Sequence, residues 1–249
     1  MKFSCLLPVH NEAKFLPYSL PSIFSVKPDE TIIILDRCTD NSLDVAHCLV
    51  RKFEYDGAVR TVSVEKIDKG WNWQLSYLMY IGTKTAHNDI ILTINADTQF
   101  GEIIREHLKH FQNKEVGWIS FSYREYPFKY DSWLANKIQR IYTRRTPRGV
   151  NYAFRKSIIM DEIDKMKAVV KGIDGLLFNE SLIKGYRNLF LRSDTIHLRP
   201  RGMKRDYTRG VAKHRVYETS LMELLFNSFL YFRPLQIVGY LKARLNQNA

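Results

Sequence analysis

Four short tracts carry acidic and amide side chains that could do chemistry together: Pro8-Val-His-Asn-Glu12, Asp36-Arg-Cys-Thr-Asp40, Glu65-Lys-Ile-Asp-Lys-Gly70 and Asn95-Ala-Asp-Thr-Gln99. Their carboxylate and amide oxygens suit a divalent cation and the hydroxyls of a sugar or base better than bare phosphate, which calls for basic groups. Taken singly, each residue reads equally well as a turn former or a helix cap. Only convergence at one place would give them a shared function, so the elements that carry them decide the matter.

Those elements alternate in type. Lys2–Leu7 is an apolar run stopped at Pro8, and Glu12–Phe24 has helical spacing at Phe15, Leu16, Leu20 and Ile23. Thr31–Leu35 is β-branched and apolar on both faces, as a buried parallel strand reads, and it ends at Asp36. Cys38-Thr-Asp-Asn-Ser42 has turn and N-cap chemistry and leads into a helix over Leu43–Phe53. Ala58–Val64 alternates as a strand, Trp71–Thr83 reads as a helix, and Asp89–Ile94 is a strand stopped by Asn95 and Asp97. Such alternation predicts an α/β fold with an open, mostly parallel central sheet flanked by helices, whose ligands sit beyond the carboxyl ends of the strands. The four tracts fall at those ends.

Further along, Val116–Tyr123 predicts a strand, Asp131–Tyr142 a helix, Gly149–Arg155 an extended piece, Gly172–Lys184 a helix closed by Gly185, and Arg187–His197 a strand. Thr195–Arg215 is a basic loop region. Glu218–Leu245 predicts two amphipathic helical segments separated around Pro234, with Arg233, Lys242 and Arg244 beside Leu and Phe. The expected division is a domain over 1–215 and a helical extension over 216–249 that either packs on the domain or lies at a membrane surface. His107 and His110 read as exposed histidines of a surface helix rather than as ligands.

Composition narrows the function classes. The 249 residues are 45% hydrophobic with 32 aromatics, enough for a large core and incompatible with intrinsic disorder. The net charge of +12 is uneven: residues 1–131 hold 15 basic and 17 acidic side chains, residues 132–249 hold 23 and 9. A half so basic implies an anionic partner, whether nucleic acid, phosphorylated substrate or acidic membrane, or else a solvated basic face. Cys5, Cys38 and Cys48 form no Cys-x-x-Cys pair, so a reducing compartment is expected: the cytoplasm, including the inner face of its membrane. The amino-terminal apolar run stops at Val9, too short for a signal peptide. Leu221–Tyr240 is interrupted by Glu223, Asn227, Arg233, Pro234 and Gln236, short of the ~20 clean residues of a spanning helix. The first loop has no glycine, which argues against dinucleotide binding, and no P-loop, H-E-x-x-H or G-x-S-x-G occurs.

At this point the residues carry a family resemblance. Leu7-Pro-Val-His-Asn-Glu12, Asp36-Arg-Cys-Thr-Asp-Asn-Ser42, Asn95-Ala-Asp-Thr-Gln99 and Ile173-Asp174-x-x-Leu177 with Lys184-Gly-Tyr186 occur in the order and spacing of the inverting family 2 glycosyltransferases of GT-A fold. The resemblance extends over roughly residues 2–215. The block around Asp97 resembles the Asp-Ala-Asp-x-Gln of polyprenyl-phosphate mannose synthases. The family pattern implies a GT-A nucleotide-diphospho-sugar transferase fold with Asp97 as ligand of Mn²⁺ or Mg²⁺ and Gln99 and His197 as further ligands. It implies Asp174 as the catalytic carboxylate. Glu12 and Asp36 would hold ribose and base, Pro8 and Val9 would line the base pocket, and His10, Asn95 and Ala96 would be further donor contacts. Lys69 and Gly70 would begin a loop that approaches the donor, and Lys204, Arg205 and Arg209 would form an acceptor and phosphate loop.

Three departures stand out. Asn95 replaces the first acid of Asp-x-Asp, Ile173 replaces the Glu that usually precedes the catalytic Asp, and Asp36-Arg-Cys is one residue shorter than the common tract. The expected function is a metal-dependent, inverting hexosyltransferase using a UDP- or GDP-sugar, with a glycan or lipid phosphate as acceptor and peripheral membrane contact. An ionised lipid phosphate would need no base, and Asp174 would then orient it. Two other readings stay open: a degenerate transferase that binds nucleotide sugar without turnover, and a nucleic-acid-binding protein that uses the basic half.

Overall fold

A computed structural model describes residues 1–66, 68–125, 151–169, 172–199, 207–208, 210–211, 220–230 and 234–245. The helix expected over 131–142 and the basic residues Lys204, Arg205 and Arg209 lie outside these. The chain divides into two compact units, Met1–Arg124 with Arg145–Leu198, and Glu125–Arg144 with Arg199–Ala249.

The first unit is built on β1 (Ser4–Val9), β2 (Glu30–Asp36), β3 (Ala58–Val64), β4 (Ile90–Ile94), β5 (Thr98–Gln99), β6 (Val116–Glu125), β7 (Asn151–Arg155) and β8 (Arg187–His197), ordered β3-β2-β1-β4-β7-β6-β8-β5. The first four strands pair in parallel; β1, β2 and β4 are buried on both faces, whereas β3 is a half-exposed edge strand. Strand β7 then runs antiparallel between β4 and β6, and β5 pairs antiparallel with the end of β8. The sheet is therefore mixed, with its parallel part confined to the amino-terminal half. Pro8 lies inside β1 rather than ending it: the pairing toward β4 stops at Leu6, so a residue with no N–H sits past that end.

Side-chain alternation along the strands sends two sets to opposite faces. Cys5, Leu7, Val9, Ile33 and Leu35 pack with α1 (Leu16–Ser25), α2 (Ser42–Lys52) and α4 (Ile104–Leu108). Leu6, Ile32 and Ile34 face α3 (Gln74–Thr85), α5 (Ser157–Met160), α6 (Ile163–Ala168) and α7 (Ile173–Ile183). Each fully buried Leu or Ile contributes about 1.5–3 kcal/mol. Helix α1 begins at Leu16, later than the apolar spacing suggests, because Phe15 and Leu16 first turn back onto the Glu12 carbonyl and Pro17 occupies the first helical turn. Helix α3 likewise begins only at Gln74.

In the second unit, α8 (Leu221–Leu230) and α9 (Pro234–Leu245) pack together, with Pro234 opening α9 as the sequence predicts. Gly239 lets α9 approach the backbone of Tyr207, where any Cβ would collide with its carbonyl. Among the described residues no helix is long and apolar enough to cross a membrane.

Candidate active site

The parallel register sets the ends of β1, β2 and β3 side by side, Val9 opposite Leu35 and Asp36 opposite Val64. The loops that leave these ends are stitched together by short polar side chains. Asn11, in the left-handed region at φ +55°, accepts hydrogen bonds from the Thr39 and Asp40 N–H groups at 2.7 and 3.2 Å. Asp40 accepts from the Ala13 N–H at 3.1 Å and from the Ser42 hydroxyl at 2.6 Å, and Ser42 Oγ accepts from the Glu12 N–H at 3.0 Å. Burial pushes the Asp40 carboxyl up, but the hydrogen bonds from Ser42 and Ala13 outweigh it and hold the group below its ordinary value. Asp40 thus caps α2 in place of Asn41, which makes no side-chain cap.

Asp36 is buried at the end of β2, and its carboxylate is already engaged. Arg37 donates to both oxygens at 2.8 and 3.0 Å, and the Gln74 amide donates at 2.8 Å from the first turn of α3. His10 Nδ1 lies 2.7 Å from the Asp36 carbonyl. Lys69 and Gly70 lie exposed on the turn before α3, where the Gly70 N–H donates to Asp68. Asn72 follows and ties this loop to the Lys167 and Ala168 carbonyls at the end of α6, at 3.0 and 3.1 Å. That tether keeps Trp71–Trp73 out of the helix expected there.

At the end of β4, Asn95, Ala96 and Asp97 form a turn closed by the Thr98 N–H on the Asn95 carbonyl. Ala96 and Asp97 are buried. Strand β8 returns here: the Leu198 N–H donates to the Asp97 carbonyl, and His197 pairs with Thr98. The consequence is that His197 Nε2 lies 3.4 Å from the Asp97 carboxylate, with both side chains almost wholly buried. Gln99 pairs with Ile196, one step along. Residues 100 positions apart in sequence thus meet.

Asp174 is the second residue of α7, after Gly172, whose φ of +82° opens the helix in a conformation other residues rarely adopt. Burial pushes the Asp174 carboxyl above its ordinary value, and two backbone N–H groups at the helix start offset part of this. The carboxyl lies close enough to raise Tyr152 electrostatically, although burial is the larger cause there. Tyr152 pairs with Thr93, and its neighbour Asn151 pairs with Ile94 and donates to Thr195 at 2.9 Å. Strand β7 therefore joins the environment of Asp174 to the strand ends that carry Asp97 and His197.

Four buried polar atoms along these ends have no hydrogen-bond partner among the described residues: Gln74 Oε1, Thr98 Oγ1, Asn151 Oδ1 and His197 Nδ1. Such groups cost free energy unless a ligand or water satisfies them. The sequence reading missed Gln74, Asn72 and Asn151, since an isolated amide carries no periodic signal. His107, read there as simply exposed, binds the Arg192 carbonyl at 2.7 Å.

The description "Glycosyl transferase family 2" matches residues 4–175. No curated protein matches the chain by sequence. Among solved structures, mannosyltransferase PcManGT from Pyrobaculum calidifontis in complex with GDP-Man and Mn²⁺ is 16% identical, with a TM-score of 0.64 over 97% of this chain and 73% of that one. S. aureus TarS 1–349 in complex with UDP-GlcNAc is 14% identical, with a TM-score of 0.58 over 92% and 70%. Glucosyl-3-phosphoglycerate synthase from Mycobacterium tuberculosis, with Mg²⁺ and UDP, is 15% identical, with a TM-score of 0.53 over 89% and 79%. These likenesses establish the GT-A fold expected from the strand and motif order. With well over half of its length matched, the chain belongs to glycosyl transferase family 2.

Proposed function

We propose that this protein is a metal-dependent, inverting glycosyltransferase that moves a hexose from a UDP- or GDP-sugar to an acceptor hydroxyl or phosphate. The observation that carries the reading is the buried Asp97–His197 pair beside unpartnered Thr98 Oγ1 and His197 Nδ1 at the carboxyl edge of the sheet. The three similar structures above are complexes with GDP-Man, UDP-GlcNAc or UDP, two of them with Mn²⁺ or Mg²⁺, which supports the same donor class here.

The side chains fit a divalent cation. A carboxylate oxygen and an imidazole nitrogen, both buried, are a mixed donor set that favours Mn²⁺ over Mg²⁺, which keeps to oxygen ligands, with Gln99 as the candidate third ligand. Among the described residues no three His, Cys, Asp or Glu side chains gather to hold an ion, so donor phosphate and water would supply the remaining oxygens. A bound cation would neutralise the charge that develops on the departing diphosphate.

The protein's own groups do the rest. Pro8, Val9 and His10 would line the base pocket, and Glu12 and Asp36 would hold ribose and base. Arg37 and Gln74 fix the Asp36 carboxylate, so the base meets an oriented ion pair rather than a lone anion. Asn95 and Ala96 would contact the sugar diphosphate from the β4 turn, and Lys69 and Gly70 from the loop before α3. Asp174 would accept the proton of an acceptor hydroxyl, a task for which a carboxyl raised by burial is a better base than an ordinary one. Lys204, Arg205 and Arg209 are proposed to bind an anionic acceptor.

The test is thermal unfolding with UDP-, GDP-, CDP- and dTDP-sugars, with and without Mn²⁺. One donor class should raise the midpoint only when Mn²⁺ is present, and Asp97→Ala should abolish the rise. If no donor shifts the curve while RNA does, the transferase reading is lost to the nucleic-acid one.

A further inference from the structure

Helices α8 and α9 turn their apolar faces outward. On α9 the buried residues are Gln236, Gly239, Tyr240 and Ala243, whereas Val238, Leu241 and Leu245 are 51%, 41% and 69% exposed. Helical spacing puts the two sets on opposite faces, so the aliphatic stripe is the outer one. Helix α8 repeats the arrangement: Leu224 and Ser228 are buried one turn apart, and Met222, Leu225 and Phe226 are exposed. Lys242 and Arg244 lie exposed next to the α9 stripe. Six large apolar side chains left exposed on two packed helices call for an occupant.

Charge selects that occupant. Segments 125–144 and 199–249, which form the second unit, hold 14 of the chain's 38 Lys and Arg but only 5 of its 26 Asp and Glu. A second copy would bring this excess against itself, whereas an anionic bilayer complements it. At 10 and 12 residues, α8 and α9 are too short to span a bilayer. We propose that α8 and α9 dock on an anionic bilayer surface, with Met222, Leu225, Phe226, Val238, Leu241 and Leu245 entering the boundary between headgroups and acyl chains and Lys242 and Arg244 pairing with lipid phosphates.

The full chain should float with vesicles of phosphatidylcholine and phosphatidylglycerol, less so at high salt, and not with phosphatidylcholine alone. Leu241→Glu with Leu245→Glu, and separately Met222→Glu, should lower the partition coefficient about ten-fold or more, since each replaces inserted apolar area by charge. All three positions are exposed, so the unfolding midpoint should stay unchanged. Absence of flotation, or flotation indifferent to both variants, would overturn the proposal. So would concentration-dependent self-association that the same variants remove, because the occupant would then be a second copy. Donor-dependent thermal shifts read the transferase function separately, so failure of one does not carry over to the other.

Discussion

A carboxylate in the first turn of a helix is ordinarily favoured as an anion by the free N–H groups there, yet burial dominates at Asp174 and pushes it above its usual value. Three consequences have fixed signs. The acid limb of kcat/KM should rise through a pKa above the ordinary carboxylate value of ~3.9. Asp174→Asn should lower kcat about 100-fold or more while the donor-dependent thermal shift survives. Because the folded-state pKa is raised, ionisation at neutral pH costs stability, so the same variant should unfold at a higher temperature than the parent. That gain should vanish below the unfolded carboxylate pKa, ~3.9, and grow as pH rises through the folded-state value. Full turnover in Asp174→Asn would point to an acceptor that is already ionised. Asp97, His197 and Asp174 could be singled out in the sequence because the motifs keep their order along the chain. Gln74 and Asn151 were not, because their roles depend on partners 38 and 44 residues away.

Elements follow the same division between local and distant causes. Strands β2 and β3 and helix α7 were readable from period and composition to within a residue or two, since a buried parallel strand leaves an apolar run, a half-exposed edge strand an alternation, and a capped helix its glycines. The two-residue β5 and the four- and six-residue α5 and α6 escaped, being shorter than any window in which a period can register. Opposite the site, Glu30 at the start of β2 holds the other ends of the parallel strands. It accepts from the Ser4 hydroxyl at 2.7 Å and the His87 N–H at 3.0 Å, and pairs with Arg60 at 3.4 Å. Burial alone would raise its pKa, but the hydrogen bonds from His87 and Ser4 and the charge of Arg60 outweigh it and hold the carboxyl below its ordinary value. Stability from this group is therefore present above the unfolded pKa of ~4.3 and lost as pH falls through the folded one. Glu30→Gln should cost roughly 1–3 kcal/mol at neutral pH, measured by denaturant unfolding, with the cost shrinking on acidification. Donor binding should be untouched, since the substitution lies at the far end of the strands.

On the scale of the whole molecule, the chain separates two kinds of surface. The first unit carries every described residue assigned to donor, metal or proton transfer, and the second carries most of the net positive charge and the outward apolar helices. Sequence showed the charge asymmetry but not the outward faces, because amphipathic spacing alone does not say which side is buried; that needs the packing of Gly239 on Tyr207. If the two surfaces serve different ligands, amide hydrogen exchange should resolve them by location. Donor sugar nucleotide with Mn²⁺ should slow exchange in the loops over 10–13, 37–42, 95–99 and 172–175 and leave 221–245 as it was. Anionic vesicles should do the reverse, protecting 221–230 and 234–245. A ligand at about 100 times its Kd adds ~2.7 kcal/mol to the stability of what it binds, ample to slow exchange in loops that open locally. Protection by the nucleotide that appeared in α8 and α9 alone would move donor recognition out of the first unit and leave the rim of Asp97 and His197 without its ligand.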